Sequence, residues 1–145
     1  MPYEITTEIV INATPARVWD VLTDFPQYPD WNPFVLEVQG AVREDATIRY
    51  RFEMPRGVRI WTAATVPIFE PERELRFSAH LLKPAVFRGD HYFVIRPTGR
   101  GVTFHHGEVI SGLLFPAIRL ILQNYGRPQF QALNSALKQR AEGLV

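Results

Sequence analysis

The sequence predicts an α+β fold, an antiparallel sheet of about seven strands with a long C-terminal helix lying across it. Three observations predict it. Between Val35 and Ile110, segment after segment alternates apolar and polar residues and closes on a turn signal, the signature of half-buried strands. From Gly112 to Val145 the apolar positions recur instead at three- and four-residue steps, the period of a helix with one buried face. Strands and helices are also segregated along the chain, which excludes a doubly wound parallel sheet.

The first strand is Tyr3 to Ile11, where Tyr3, Ile5, Thr7, Ile9 and Ile11 alternate with Glu4, Thr6 and Glu8. Thr14 can cap a helix and Pro15 fits its first position, so a short helix runs from Pro15 to Thr23 with Val18, Trp19 and Leu22 on its apolar stripe. Phe25 to Phe34 packs three prolines and four aromatics into ten residues, too broken for a regular helix, and reads as a rigid connector or lid. Strand, turn, strand follows. Val35 to Val42 alternates weakly, Glu44-Asp45 turns, and Thr47 to Met54 sets Ile48, Tyr50, Phe52 and Met54 against Arg49, Arg51 and Glu53. Pro55-Arg56-Gly57 turns into a β-rich run from Val58 to Phe69; Glu70-Pro71 turns into Glu74 to Leu82. After Lys83-Pro84 and a loop through Gly89, His91 to Arg96 and Val102 to Ile110 pair around Pro97 to Gly101. In the final helix, Gly126 and Pro128 predict a kink or brief break, and Gly143 a stop. A helix of roughly thirty residues is about 45 Å long, so it needs a broad curved sheet as its partner.

The totals constrain the rest. A chain of 145 residues buries about 68–70% of its unfolded surface without staples, and with no repeat or linker it reads as one domain, residues 1–145. With no cysteine there is no thiol chemistry and no cysteine-based zinc site. Neither a leader nor a run of eighteen apolar residues is present, so a soluble, cytoplasmic protein without an integral membrane segment is expected. Sixteen basic against fifteen acidic side chains, spread without blocks, point away from nucleic acid and acidic lipid partners. Ten Phe, five Tyr and three Trp suit a core that surrounds something.

Several strings in this order resemble the Bet v 1-like or START-like (SRPBCC) superfamily, in its bacterial polyketide cyclase/dehydrase and lipid-transport branch. They are Thr14 to Leu22 (TPARVWDVL), Trp31-Asn32-Pro33, Glu70-Pro71 before Leu75, His106-Gly107-Glu108 leading to Gly112-Leu113, and Leu133 to Glu142 (LNSALKQRAE). The resemblance runs nearly end to end. It implies a helix-grip fold: a strongly curved sheet gripping the C-terminal helix, two short helices between the first two strands, and a deep apolar cavity. That superfamily spans lipid and hormone carriers, aromatic cyclases and chaperone activators, so membership does not select a reaction.

Sites must therefore come from residues. No phosphate loop, paired-histidine zinc helix or nucleophile elbow is present. On the last strand His106 shares a face with Phe104, Glu108 and Ile110, and on the one before it His91 shares a face with Phe93 and Ile95. Both faces point inward. Two residues apart, His106 and Glu108 project side by side, so Glu108 can orient the imidazole; His106, Glu108 and His91 are the candidate acid–base groups. The same three side chains form a two-histidine-one-carboxylate set on paper, but neither a metal nor a cofactor is assigned. The candidate cavity wall is Trp31, Phe34, Tyr50, Phe52, Trp61, Phe77 and Phe93, with Leu120 and Ile121 from the final helix and Trp31 placed as a gate. Arg49 and Arg51 read as a solvated sheet face.

The preferred expectation is a binding or carrier domain for a small hydrophobic molecule such as a lipid, sterol, quinone or polyketide. Two alternatives remain: a cyclase or dehydratase using the His/Glu pair, and a chaperone-activator-like protein-interaction module. Oligomeric state is not legible. Leu113, Leu114, Phe115, Leu120 and Ile121 encircle the start of the final helix, so that half is expected to roof the cavity as an entrance and the half after the break to be static core.

Overall fold

A computed structural model describes residues 3–144. Seven strands form one antiparallel sheet: β1 (Tyr3–Ile11), β2 (Val35–Gln39), β3 (Thr47–Glu53), β4 (Arg59–Glu70), β5 (Glu74–Leu81), β6 (Phe87–Pro97) and β7 (Val102–Ser111). The spatial order is β1-β7-β6-β5-β4-β3-β2, so consecutive hairpins build the sheet from β2 to β7 and the first strand closes against the last. Register shifts between Val35 and Glu37 on β2 and between Thr65 and Ile68 on β4 bend those strands, which helps the sheet curve.

Between β1 and β2 lie α1 (Pro15–Thr23), a 3₁₀ turn (Phe25–Gln27) and α2 (Tyr28–Trp31). Thr14 caps α1 by accepting from the Arg17 amide, as its sequence predicts. Asn32 ends the connector: its Oδ1 accepts from the amides of Phe34 and Val35 and turns the chain into β2. The fully buried Tyr28 anchors the connector by donating its hydroxyl to the Leu22 carbonyl.

The long helix α3 runs from Phe115 to Ala141. It is continuous through Gly126 and Pro128, so of the kink or brief break that the sequence predicted there, the break does not occur. Proline removes one helical hydrogen bond, to the carbonyl of Asn124; Asn124 and Pro128 are both exposed, so water can satisfy that carbonyl without ending the helix. Gly126 has a different use. A Cβ there would lie 2.9 Å from Ile5 Cδ1, so the glycine lets α3 approach β1 closely. Gly143, at φ 76°, terminates the helix in the left-handed conformation, with amides returning to Arg140 and Gln139. The helix therefore starts later and ends earlier than the periodicity suggested; Val145 lies outside the described residues.

Other boundaries also moved. β2 ends at Gln39 because Gly40 takes φ 104°. β6 begins at Phe87, not His91, because Gly89 pairs with Ala79 on one side and Ile110 on the other. The main core joins Leu75, Phe77, Phe93 and Phe104 of the sheet to Val18, Trp19 and Leu22 of α1 and Leu133, Leu137 and Ala141 of α3. At the edge of the sheet, Arg127 and Lys138 of α3 donate to the carbonyls of Thr6 and Val10. Those bonds blunt a strand edge that would otherwise invite pairing.

Candidate functional site

The C-terminal half of α3 seals the sheet, whereas the N-terminal half stands off from it. Between that half and the strands lies a cavity of about 360 Å³. Ile118, Ile121, Leu122, Tyr125 and Phe130 form its roof, and Phe34, Tyr50, Phe52 and Phe87 line it from the connector and sheet. The lining is dominated by apolar and aromatic groups, with few polar ones. Among the described residues no lysine or arginine lines it.

The ionisable group that matters most in this wall is Glu108. It projects inward from β7 opposite His91 of β6, and His91 Nδ1 stands 3.7 Å from Glu108 Oε1, beyond hydrogen-bond length. Gly89 makes the room: a Cβ there would collide with the Glu108 carboxyl. Burial raises the Glu108 pKa to about 7, assisted by the negative charge of Asp90. Burial likewise holds His91 well below its ordinary value, assisted by His106. Burial also raises the Tyr50 hydroxyl, helped by the charge of Glu108. At neutral pH this wall therefore offers a partly ionised carboxyl, a neutral imidazole and a phenol, with no protein cation among them.

His106 plays a different part. It is 0% exposed and packs one layer behind the cavity, stacked on Phe130 at 4.4 Å and on Phe93 at 4.7 Å between ring centroids. Its Nδ1 lies 2.9 Å from Asn134 Oδ1; Asn134 Nδ2 donates to Thr7 Oγ1, and Thr7 donates to the His106 carbonyl. With its amide nitrogen committed to Thr7, Asn134 can only accept from His106, so the proton sits on Nδ1. Burial lowers the His106 pKa to about 4, against the opposing pull of the Asn134 bond. The loop of bonds ties β1, β7 and α3 together behind the cavity.

A family model for polyketide cyclase / dehydrase and lipid transport matches residues 2–142. The chain belongs to that family. Curated proteins offer no match. Among solved structures, this cyclase/dehydrase-family chain is similar to TTHA0849 from Thermus thermophilus, at 19% identity and TM-score 0.75, covering 98% of this chain and 99% of that one. It is also similar to the Zhui aromatase/cyclase from Streptomyces sp. R1128, at 14% identity and TM-score 0.80, covering 98% and 94%. Ara h 8.0201 shares 7% identity at TM-score 0.66, covering 94% and 98%. At these identities the likeness establishes the fold.

Within the cyclase/dehydrase fold, the residues singled out from sequence divide. Phe34, Tyr50, Phe52, His91, Glu108 and Ile121 come together at the cavity. Glu108 approaches His91 across the strand pair rather than His106 along its own strand, because His106 is taken up by Asn134. Phe77 and Phe93 are buried core below the wall. Trp31 does not gate this cavity; it packs edge-on against Tyr28 beside a separate polar cleft that includes Arg17, Asp20 and Arg140. Trp61 touches the rim, but its ring lies on the outer face beneath Arg49 and Arg51, 5.2 and 5.7 Å from its centroid, because it pairs with Arg51 rather than with Tyr50. Leu120 is 72% exposed and does not line the cavity.

Two contributors escaped sequence reasoning. Gly89 was read as loop, although a glycine opposite a glutamate-bearing strand is what gives that carboxyl space. Asn134, a polar residue in a half-solvated helix, draws no attention in the sequence, yet it is 2% exposed. Its spacing was the available signal, since it falls on the stripe of Phe130, Leu137 and Ala141. Among the described residues no helix is long and apolar enough to cross a membrane, and no three His, Asp or Glu side chains gather as a metal site.

Proposed function

We propose that the chain, as one ligand-binding domain over residues 1–145, binds a small hydrophobic or aromatic molecule between the sheet and α3. The observation that carries this reading is the cavity of about 360 Å³ walled by aromatic and aliphatic side chains. The entrance is the N-terminal half of α3. Leu120 is 72% exposed there and Leu113, just before it, 82%, and Leu114, Ile121 and Tyr125 are each more than 40% exposed beside them, an apolar surface around the cavity roof. Native mass spectrometry after mild purification, followed by thermal-shift screening with fatty acids, sterols, quinones and aromatic polyketides, tests it. Retention of a small molecule, or a rise in midpoint with one class, is expected; an empty protein indifferent to every class refutes it.

A second reading, a cyclase or dehydratase, draws on one observation: a carboxyl tuned near neutrality facing the cavity beside a neutral histidine. In it Glu108 moves a proton and His91 accepts or returns it. Turnover of a polyketide-like substrate that survives both Glu108→Ala and His91→Ala unchanged removes those residues from any mechanism.

A further inference from the structure

Burying a carboxyl is unfavourable unless a cation or several donors compensate it. Glu108 has neither. Among the described residues no hydrogen bond reaches its carboxyl, and His91, the nearest basic group, stands 3.7 Å away and is held neutral. The groups that face it from neighbouring elements are Tyr50 on β3 and His91 on β6, with His106 one layer behind on β7; Tyr125 of α3, Glu53 and His80 also border the cavity, and Asp90 acts from the outer face of β6, where it pairs with Arg88. None of those whose titration is shifted is a cation at neutral pH, and two of the set, Glu53 and Asp90, are themselves carboxyl groups.

Around this carboxyl stand aromatic rings. Phe34 lies 5.8 Å from the His91 ring and 5.7 Å from Phe130; Phe52 lies 6.0 Å from Phe34 and 5.8 Å from Tyr50. Ring faces attract cations, most strongly where water is excluded. A lone carboxylate within an aromatic wall is thus half of an ion pair whose other half must come from the ligand.

We propose that the molecule held in this cavity is a lipophilic amine, its ammonium seated against Glu108 among Phe34, Tyr50, Phe52 and Phe130 and its apolar body under α3. The inference rests on the cavity-binding reading above and names the chemical class of its ligand. The ammonium pairs with the ionised carboxyl, so binding displaces the proton that part of the empty protein carries at neutral pH. Gly89 is a positioning residue for this seat, since a side chain there displaces the carboxyl.

Three compounds of one shape test the class: N,N-dimethyl-2-naphthylmethylamine, its carbon isostere 2-isobutylnaphthalene, and the isosteric ketone 2-naphthylacetone. Each is titrated into the wild-type protein at pH 5.5, 7.0 and 8.5 by calorimetry. The amine is expected to bind at least tenfold more tightly than the hydrocarbon at pH 8.5, with the advantage shrinking severalfold by pH 5.5 as Glu108 takes up its proton. Glu108→Gln, checked for folding by circular dichroism, should abolish the preference, bringing the affinities of the amine and the hydrocarbon for that variant to within about twofold of each other. The pH series needs no variant and decides the matter if Glu108→Gln is unstable. Equal affinity for all three compounds overturns the inference and leaves the cavity reading standing. A ketone preferred over the hydrocarbon, increasingly so below pH 7, also overturns it, because Glu108 then acts as a neutral donor. Binding of none of the three overturns this inference, and the thermal-shift screen above then decides the cavity reading separately.

Discussion

Truncating Leu133 and Ile121 separates the two halves of α3. Leu133 is 1% exposed and sits in the main core, so Leu133→Ala opens a void that surrounding residues of the sheet and α1 cannot fill; such changes cost about 2–5 kcal/mol. For 145 residues the unfolding entropy is about 0.3 kcal/mol/K, and a loss of about 3 kcal/mol lowers Tm by about 10 °C. Ile121 is 46% exposed and its buried part faces the cavity. Ile121→Ala therefore costs only about 1 kcal/mol of stability, roughly 3 °C in Tm. Where it acts is on the ligand: losing one to two buried methylene contacts, about 1 kcal/mol, weakens 2-isobutylnaphthalene about fivefold. Urea unfolding and calorimetric titration of both variants supply the four numbers. Equal destabilisation by the two changes, with affinity untouched by Ile121→Ala, would show that α3 is uniform core and that its first half guards nothing.

Four further outcomes follow from the polar loop, Glu108 and a glycine junction. Asn134→Ala leaves the His106 Nδ1–H buried without a partner and frees Thr7, so urea unfolding should register a loss of about 1–3 kcal/mol; an unchanged midpoint would mean that the loop adds nothing. Because the folded pKa of His106 is depressed to about 4 from 6.5, the unfolded chain binds more protons between those values, and stability rises with pH across that window. His106→Phe keeps the stacked ring and should remove up to about 3 kcal/mol of that rise, read from urea midpoints at pH 4.5 and 6.5. Glu108, raised to about 7 from 4.5, works in the opposite sense: its contribution is lost as pH climbs through that interval, so Glu108→Gln should steepen the rise. Gly112 takes φ 119° and a Cβ there would meet the Val86 carbonyl at 2.5 Å, so Gly112→Ala should cost more than about 1 kcal/mol by thermal denaturation.

Elements carried by a sustained period were legible in the sequence: β1 and α1 fall where alternation, Thr14 and Pro15 put them. The inward phases of His91, His106 and Glu108 were equally legible, since strand sides follow from counting by two. Their partners were not. His106 was assigned to Glu108 because the two are adjacent on one strand, but the choice between Glu108 and Asn134 depends on how α3 lies over β7. Trp61 illustrates a second limit: a long β-rich run admits two phases, and only pairing with Arg51 rather than Tyr50 turns its ring outward. Trp31 failed for a third reason, because the connector carries no period from which a direction can be read. The unbroken α3 shows that a proline's effect depends on whether water can reach the carbonyl it abandons.

The pairing of β1 with β7 also has a consequence during synthesis. Tyr3 faces Ile110 and Ile11 faces Val102, so the first strand to leave the ribosome waits for the last one to be made. At 5–20 residues per second that delay is roughly 5–20 s. Ile5, Ile9 and Ile11 have no sheet to join during that time, while the hairpins from β2 to β6 can already form beside them. The half of α3 that seals β1 arrives later still. A chain cut short before Val102 thus carries an open sheet edge and an orphan apolar strand, so for this topology an interruption between Ile11 and Val102 is the most hazardous one.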